Sequence, residues 1–420
     1  MKTTEYDVLV MGGGPAGSTI ATLLAMKNHR VLLLEKEKFP RYHIGESLVP
    51  GIVPILKELN VLDKIDAHGF VKKYGITLLW GKERGLWDVR FGEAKGDAGS
   101  HGSAYEVVRS EFDNLLLRHS ESVGVEVREE HQVSTILFEG DRCVGARYRD
   151  PDGYIHEARA RYVVDATGQS ALIGRYLNQI EYDADLKNIA LWSYYKNAKR
   201  FEGRQAGDIF VENTPEGWTW FIPLHDGTTS VGWVTPLDNL KNSEEKDLTQ
   251  RYLSAMGTQT RQMLAEAERI EEVKVTRDWS YQCKQFYGPG FLVVGDAAGF
   301  IDPLFSTGVF LAMNGASWGA KMLHEALENP NDEQALLSRY EFAYKKFLDV
   351  VVSFVHYFYD ASRDVSSYFA KAKDLVDPID QMTARQDFVY LISGLAGLHF
   401  LEDEDLKAKE SEMELVSINR

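Results

Sequence analysis

Apolar and polar positions divide this 420-residue chain into alternating units. The run Asp7–Met11 is a short apolar strand broken by glycines, followed by a segment of helical period and a second strand, Val31–Leu34. A strand over Phe291–Val294 and an apolar helix after Ser306-Thr307-Gly308 repeat this order late in the chain. Between them, "NIALWSYYKNA" and "GTTSVGWVTP" alternate with period two and "SEEKDLTQRYLSAM" reads as a helix, which predicts an antiparallel sheet over 176–274. In "GWTWFIPLHDG", Gly217–Gly227, extended backbone puts Trp218, Trp220 and Ile222 on one face. After Asn331 the pattern is helical and heavily aromatic; aromatics at that spacing read as core, the alternative being a cap over the substrate with a surface for a carrier protein. "RGLWDVRFGEAKGDAGSHG" reads as a glycine-rich covering loop, and the charged tail "LEDEDLKAKESEMELVSINR" as frayed. The fold class is α/β: a discontinuous nucleotide-binding domain (1–75, 100–175, 275–330), an inserted sheet domain (76–99, 176–274) and a helical region (331–420).

Composition narrows the function. The chain is 44% hydrophobic and 26% charged, as ordinary globular proteins are. A net charge of -16 argues against a nucleic-acid partner, whose phosphates need an extended basic face. Cys143 and Cys283 are far apart, which excludes a disulfide framework and a cysteine metal site. The N-terminus passes directly into a strand and no apolar run reaches membrane-spanning length, so the expected setting is the cytoplasm.

The strongest motif is G-x-G-x-x-G at Gly12, Gly14 and Gly17. Gly12 makes the tight turn, Gly14 lets backbone approach a pyrophosphate, and Gly17 lets helix and strand pack closely. Pro15 and Ala16 open the helix, whose free N–H groups face phosphate. Glu35 ends the second strand, where a carboxylate accepts ribose hydroxyls. An Asp between strand and helix, at Gly295-Asp296, suits a ribityl hydroxyl. That arrangement resembles the FAD-binding "GD" motif of the flavoprotein hydroxylase superfamily. "VVDATGQSALIGR", with Asp165 and Gly168, resembles its middle motif, and "YEVVRSEFDNLLL" resembles the helix whose arginine, Arg109, reaches the diphosphate side. The resemblance implies FAD, bordered also by Lys36, Arg41, Ile44, Gly308 and Val309.

Within that superfamily, "GWTWFIP" resembles the W-x-W-x-I-P motif of flavin-dependent halogenases. "FPRYHIGESLVP" resembles a segment of the branch acting on phenols and carrier-bound pyrroles, and "FIDPLFSTG" fits F-x-x-P-x-x-S-x-G. The resemblance spans roughly residues 5 to 320. It implies that reduced FAD from a separate reductase, O₂ and chloride or bromide give hypohalous acid, with Trp218, Trp220, Ile222, Pro223 and Phe305 between flavin and substrate. Halide would sit on the Thr307 and Gly308 amides, an anion nest at a helix start. A lysine would deliver the halogen. Lys72 and Lys73 face opposite sides of an extended chain, and adjacent lysines also suit a solvated loop end. The family places an aliphatic residue three positions on, and Ile76 selects Lys73. Burial there would depress the amine pKa.

Tryptophan halogenases carry a glutamate where this chain has Phe305, so the resemblance favours a phenol or pyrrole, free or tethered to an acyl or peptidyl carrier protein, over tryptophan. His43 reads as structural and Asp302 as a surface turn residue. Two alternatives stay open. Geranylgeranyl reductases carry a similar Y-x-W-x-F-P strand, which keeps an FAD-dependent dehydrogenase or reductase in view, and a non-catalytic flavoprotein scaffold needs only the same core.

Overall fold

Runs of β-branched and leucine residues with no polar face set the centre of the molecule. In the computed structural model, which describes residues 6–83, 85–94, 102–376 and 382–398, Val8–Met11 are wholly buried. They lie in Tyr6–Met11, which pairs in parallel with Val31–Leu34 on one side and Ile155–Asp165 on the other. Continuous apolar strands of this kind belong in a parallel sheet covered on both faces. Phe291–Val293 and Glu126–Arg128 extend the sheet in parallel, Tyr287–Gly288 caps one edge, and an antiparallel hairpin (Gln132–Glu139, Arg142–Arg149) joins Ile155–Asp165.

Two helices start where the strands end. Pro15–Met26 begins with proline, whose missing N–H costs nothing there. It packs against Gly308–Glu328. A Cβ at Gly17 would lie 1.9 Å from the Gly12 carbonyl oxygen, so only glycine permits this approach.

The second sheet runs Gly299–Phe300, Lys274–Cys283, Ile180–Lys196, Thr229–Pro236, Gly217–Pro223, Ile209–Thr214, Gly75–Leu79 and Leu86–Arg90. Its pairings are antiparallel except between Ile209–Thr214 and Gly75–Leu79, which is parallel. One face joins the main core. The other carries a separate core of Leu191, Phe210, Phe221, Val231 and Trp233, closed by Tyr252 and Met263 of two short helices. The inserted sheet expected from the period-two pattern and the Rossmann-type sheet expected from the apolar strands and glycine motif are both present, the former with one parallel pair.

The third region is helical: Glu333–Phe358, Val365–Leu375 and Ala384–Ile392. Tyr340, Tyr344, Phe347, Phe354 and Phe358 are buried, so these aromatics are core, as their spacing indicates. This region closes over the second sheet: Trp80 Nε1 donates to the Phe358 carbonyl (3.0 Å), and Arg385 pairs with Glu93 (2.7 Å). The stretch read as a loop contains the strand Leu86–Arg90 and buried Phe91, because apolar Leu86, Trp87 and Val89 pair along Gly75–Leu79. Its residues 95–101, the initial 1–5 and the tail 401–420 lie outside the described residues.

Candidate active site

The glycine turns, the indole strand and the start of Gly308–Glu328 surround one cavity of about 610 Å³. Its walls fit a dinucleotide. Gly12, Gly14, Pro15 and Ala16 line one end with Glu35, Lys36, Arg41 and Ile44. Gly14 caps Pro15–Met26 without a side-chain bond, which leaves first-turn amides for a phosphate. At Gly168 and Gly308, both on the wall, no atom lies within 4 Å of where a Cβ would stand, so glycine keeps the space open. Glu35 is buried; its Oε2 accepts the Gly13 N–H at 2.7 Å and its Oε1 the Glu37 N–H at 2.8 Å. Two amide bonds fix the carboxylate on the cavity wall, with lone pairs left over that fit the ribose hydroxyls of a dinucleotide.

Arg41 and Arg109 both reach the wall and share one counter-ion. Arg109 Nε and Nη2 donate to the two oxygens of Asp113 at 2.8 and 3.0 Å, and Arg41 Nη1 donates to Oδ2 at 2.9 Å. Burial alone would raise the Asp113 carboxyl, but the Arg109 guanidinium holds it below its usual range. Asp113 has no periodic signal of its own; its place four residues after Arg109, one helical turn on, was the available clue. Asp296 also faces the cavity, where burial pushes its carboxyl up to about 6 against the pull of Arg109.

Some predicted residues shape the site from behind. Asp165 is wholly buried and accepts from Thr167 N, Thr167 Oγ1 and Ile173 N, so it orders the turn instead of lining the cavity. Gly295 takes a left-handed φ of 62° beside it. Asp302 is buried, not a surface residue: its Oδ2 accepts from Tyr359 Oη and Asn188 Nδ2 at 2.7 and 2.9 Å. Its partners, 114 and 57 residues away in the chain, reverse the sequence expectation. His43 lines the cavity with Nδ1 2.7 Å from the Ile44 carbonyl; surrounding protein, then Arg109, lower its pKa to about 4. The ring is therefore neutral at pH 7.

The indole wall is where alternation put it. Trp218, Trp220 and Ile222 line the cavity. Thr219 meets Thr260 on the opposite face, and Phe221 joins the second core. The two indoles are 6.1 Å apart, fixed by bonds from Trp218 Nε1 to Tyr359 Oη (2.9 Å) and Trp220 Nε1 to Ser230 Oγ (3.1 Å). Pro223 ends the strand without lining the cavity. Phe305 packs on Phe354 and Phe358 (5.2 and 4.8 Å), away from the cavity wall. Ser306 at φ 59°, ψ 25° followed by Thr307 at φ −83°, ψ −14° turns successive amides the same way as Gly308 begins its helix. Ser306, Gly308 and Val309 are on the wall, and Thr307 is buried just behind it.

The two lysines separate sharply. Lys72 is exposed and pairs with Asp66 at 2.5 Å. Lys73 is 0% exposed; its Nζ donates to Ser47 Oγ at 2.8 Å and to the Leu48 carbonyl at 3.0 Å. Burial lowers its pKa, with Glu106 and then Asp208 opposing. Ser47 itself lines the cavity, so the amine stands one hydrogen bond behind the wall. Next to it, Glu46 is buried and accepts from Tyr194 Oη at 2.5 Å; burial raises its carboxyl. Glu46 and Ser47 lay inside "FPRYHIGESLVP", where two polar residues amid buried Leu48 and Val49 were the signal.

Comparison with known proteins agrees with this geometry. The family described as an FAD binding domain matches residues 5–355. The chain is 34% identical over 407 residues to a tryptophan 2-halogenase from Chondromyces crocatus, covering 94% of this chain and 77% of that one. It is 35% identical over 369 residues to the 1H-pyrrole-2-carbonyl-[peptidyl-carrier protein] chlorinase of Pseudomonas fluorescens, covering 81% and 80%. The solved myxobacterial chondrochloren halogenase CndH, described as a variant of the FAD-dependent halogenases, superposes with a TM-score of 0.79 at 34% identity, over 94% of this chain and 97% of that one. With a cavity shaped for FAD and relatives of this kind along nearly its full length, the chain belongs to the flavin-dependent halogenases of the FAD-binding family.

Proposed function

We propose that this enzyme halogenates an electron-rich aromatic ring, a phenol or a pyrrole, free or tethered to a carrier protein, with hypohalous acid that Lys73 delivers. The observation that carries the reading is the buried Lys73 amine, one hydrogen bond from the cavity wall through Ser47. The chemistry that bound reduced FAD, received from a separate reductase, supplies with O₂ is oxidation of chloride or bromide. The Thr307 and Gly308 amides hold the halide beside it. Trp218, Trp220 and Ile222 keep the ring to be modified away from the flavin, so that halide is oxidised first. Lys73, shielded from water, presents its N–H to the oxidant and directs it.

Phe305 supports the choice of ring. Its side chain sits among Phe354, Phe358 and Phe388 and offers no charge to stabilise an indole cation. Phenols and pyrroles supply that stabilisation themselves. One relative is a tryptophan halogenase and another acts on a carrier-bound pyrrole, so both acceptors belong in the test. Enzyme, reduced FAD, air and bromide are incubated with a phenol, a pyrrolyl-carrier conjugate and tryptophan, and products are read by mass spectrometry. Halogen on the phenol or pyrrole is the expected outcome. Halogen on tryptophan alone would overturn the substrate class, and halogen in no acceptor or hypohalous-acid trap would overturn the reaction.

A further inference from the structure

Lys73 shares its pocket with a second ionisable group that the reading above does not use. Glu106 is 0% exposed, and neither of its carboxylate oxygens has a hydrogen-bond partner among the described residues. An orphaned buried carboxylate costs several kcal/mol if ionised, so its retention calls for a reason. The ribbon of Val71–Lys73 and Ala104–Glu106 places Val71 opposite Glu106 and Lys73 opposite Ala104. Opposed residues share a face, which makes Lys73 and Glu106 diagonal neighbours. Lys72, opposite Tyr105, points the other way and bonds its hydroxyl at 3.1 Å.

Ser47 completes the arrangement. Its backbone bridges to Glu106, and its hydroxyl accepts the Nζ bond from Lys73 while favouring the ionised Glu106. The other charged groups near the pair are occupied. Asp208 is ion-paired with Arg90 and accepts from Thr77 Oγ1 at 3.0 Å, and Glu46 accepts from Tyr194. Lys73 is thus the cation available to Glu106.

We propose that Glu106 is a positioning residue that shares one mobile proton with Lys73 across Ser47. In one arrangement the pair is ammonium and carboxylate; in the other it is amine and carboxylic acid. Once its hydroxyl turns onto a Glu106 oxygen, Ser47 Oγ takes the proton from Nζ as it passes its own across, so net charge is unchanged and no water is needed. Resting on the halogenation reading, this lets Lys73 offer an N–H to hypohalous acid and recover a proton inside a closed pocket. Burial pushes Glu106 up to about 8 and Lys73 down, which brings the two groups toward a common range.

The test uses full-length, FAD-loaded enzyme with 13Cε-labelled lysine, the Lys73 resonance being assigned by its loss in Lys73→Ala. In Glu106→Gln the burial of Lys73 remains but the main negative charge opposing it is gone, so Lys73 titrates lower by about one pH unit or more. Glu106→Asp, which keeps the charge one methylene further off, moves it in the same direction by less. Identical Lys73 titration in wild type and both variants overturns the proposal. The pH profile of halogenation follows: its alkaline limb moves to lower pH by the same interval in Glu106→Gln, with acceptor KM unchanged. A shifted titration in an enzyme that makes no halogenated product leaves the pairing intact and rejects the halogenase reading instead.

Discussion

Two clusters of buried charge bond to one short stretch of chain, Ile44 to Leu48, and they are built on opposite plans. Around Asp113, both carboxylate oxygens are bonded by two guanidinium groups, Arg41 and Arg109. Around Lys73, the amine bonds a hydroxyl and a carbonyl, and the nearby Glu106 carboxylate has no hydrogen-bond partner among the described residues. Forked guanidinium bonds fix geometry and protonation together. The first cluster therefore holds a fixed shape at the cavity wall, where the proposed reading puts the diphosphate side of FAD. The second leaves a proton unassigned in a dry pocket, which suits chemistry and costs stability.

The difference has measurable consequences. The largest concerns Asp113→Ala, which strands buried Arg109 and partly buried Arg41. Breaking a buried ion pair costs about 3–5 kcal/mol, so urea unfolding of the FAD-free protein should show a loss of that size and a weakened FAD titration. A change within error would place Asp113 outside the scaffold. A smaller effect is expected at Asp296, the carboxylate facing Arg109. Its folded pKa, about 6, lies above the unfolded value of 3.8, so between these pH values the folded state keeps a proton that the unfolded chain has lost. Stability of the FAD-free protein then falls as pH rises through that window and levels off above it, by roughly 3 kcal/mol at most. Asp296→Asn removes the slope, so its stability changes less than that of wild type between pH 4 and 7. Parallel pH dependences in the two proteins would contradict it.

What was legible in the chain follows the same division. Backbone-driven features were readable because their causes are local: the Gly12 and Gly17 approach, the proline-led helix, and the helix start at Gly308. Strand alternation was enough to put Trp218, Trp220 and Ile222 on one face, which lines the cavity, and to set Lys72 and Lys73 on opposite sides, while the family pattern with Ile76 picked out Lys73. Side-chain pairing was not readable, because partners come from distant segments. Glu46 meets Tyr194 from 148 residues away, and the ribbon that pairs Glu106 with the lysine strand has too few residues to show a period. Asp302 looked exposed because neither Asn188 nor Tyr359 is near it in sequence. Phe305 was read as part of the barrier, yet its contacts are with the C-terminal aromatics behind the wall.

The central claim is that a buried amine, and not its exposed neighbour, carries halogen to the substrate. The most direct measurement compares Lys73→Ala with Lys72→Ala, counting halogenated product by mass spectrometry for each reduced FAD oxidised. Lys73→Ala should lose product by ~100-fold or more, the scale of a lost proton-donating group, while its FAD binding and O₂ consumption stay at wild-type levels. Lys72→Ala should give wild-type product. Equal yields from Lys73→Ala and wild type would contradict the account.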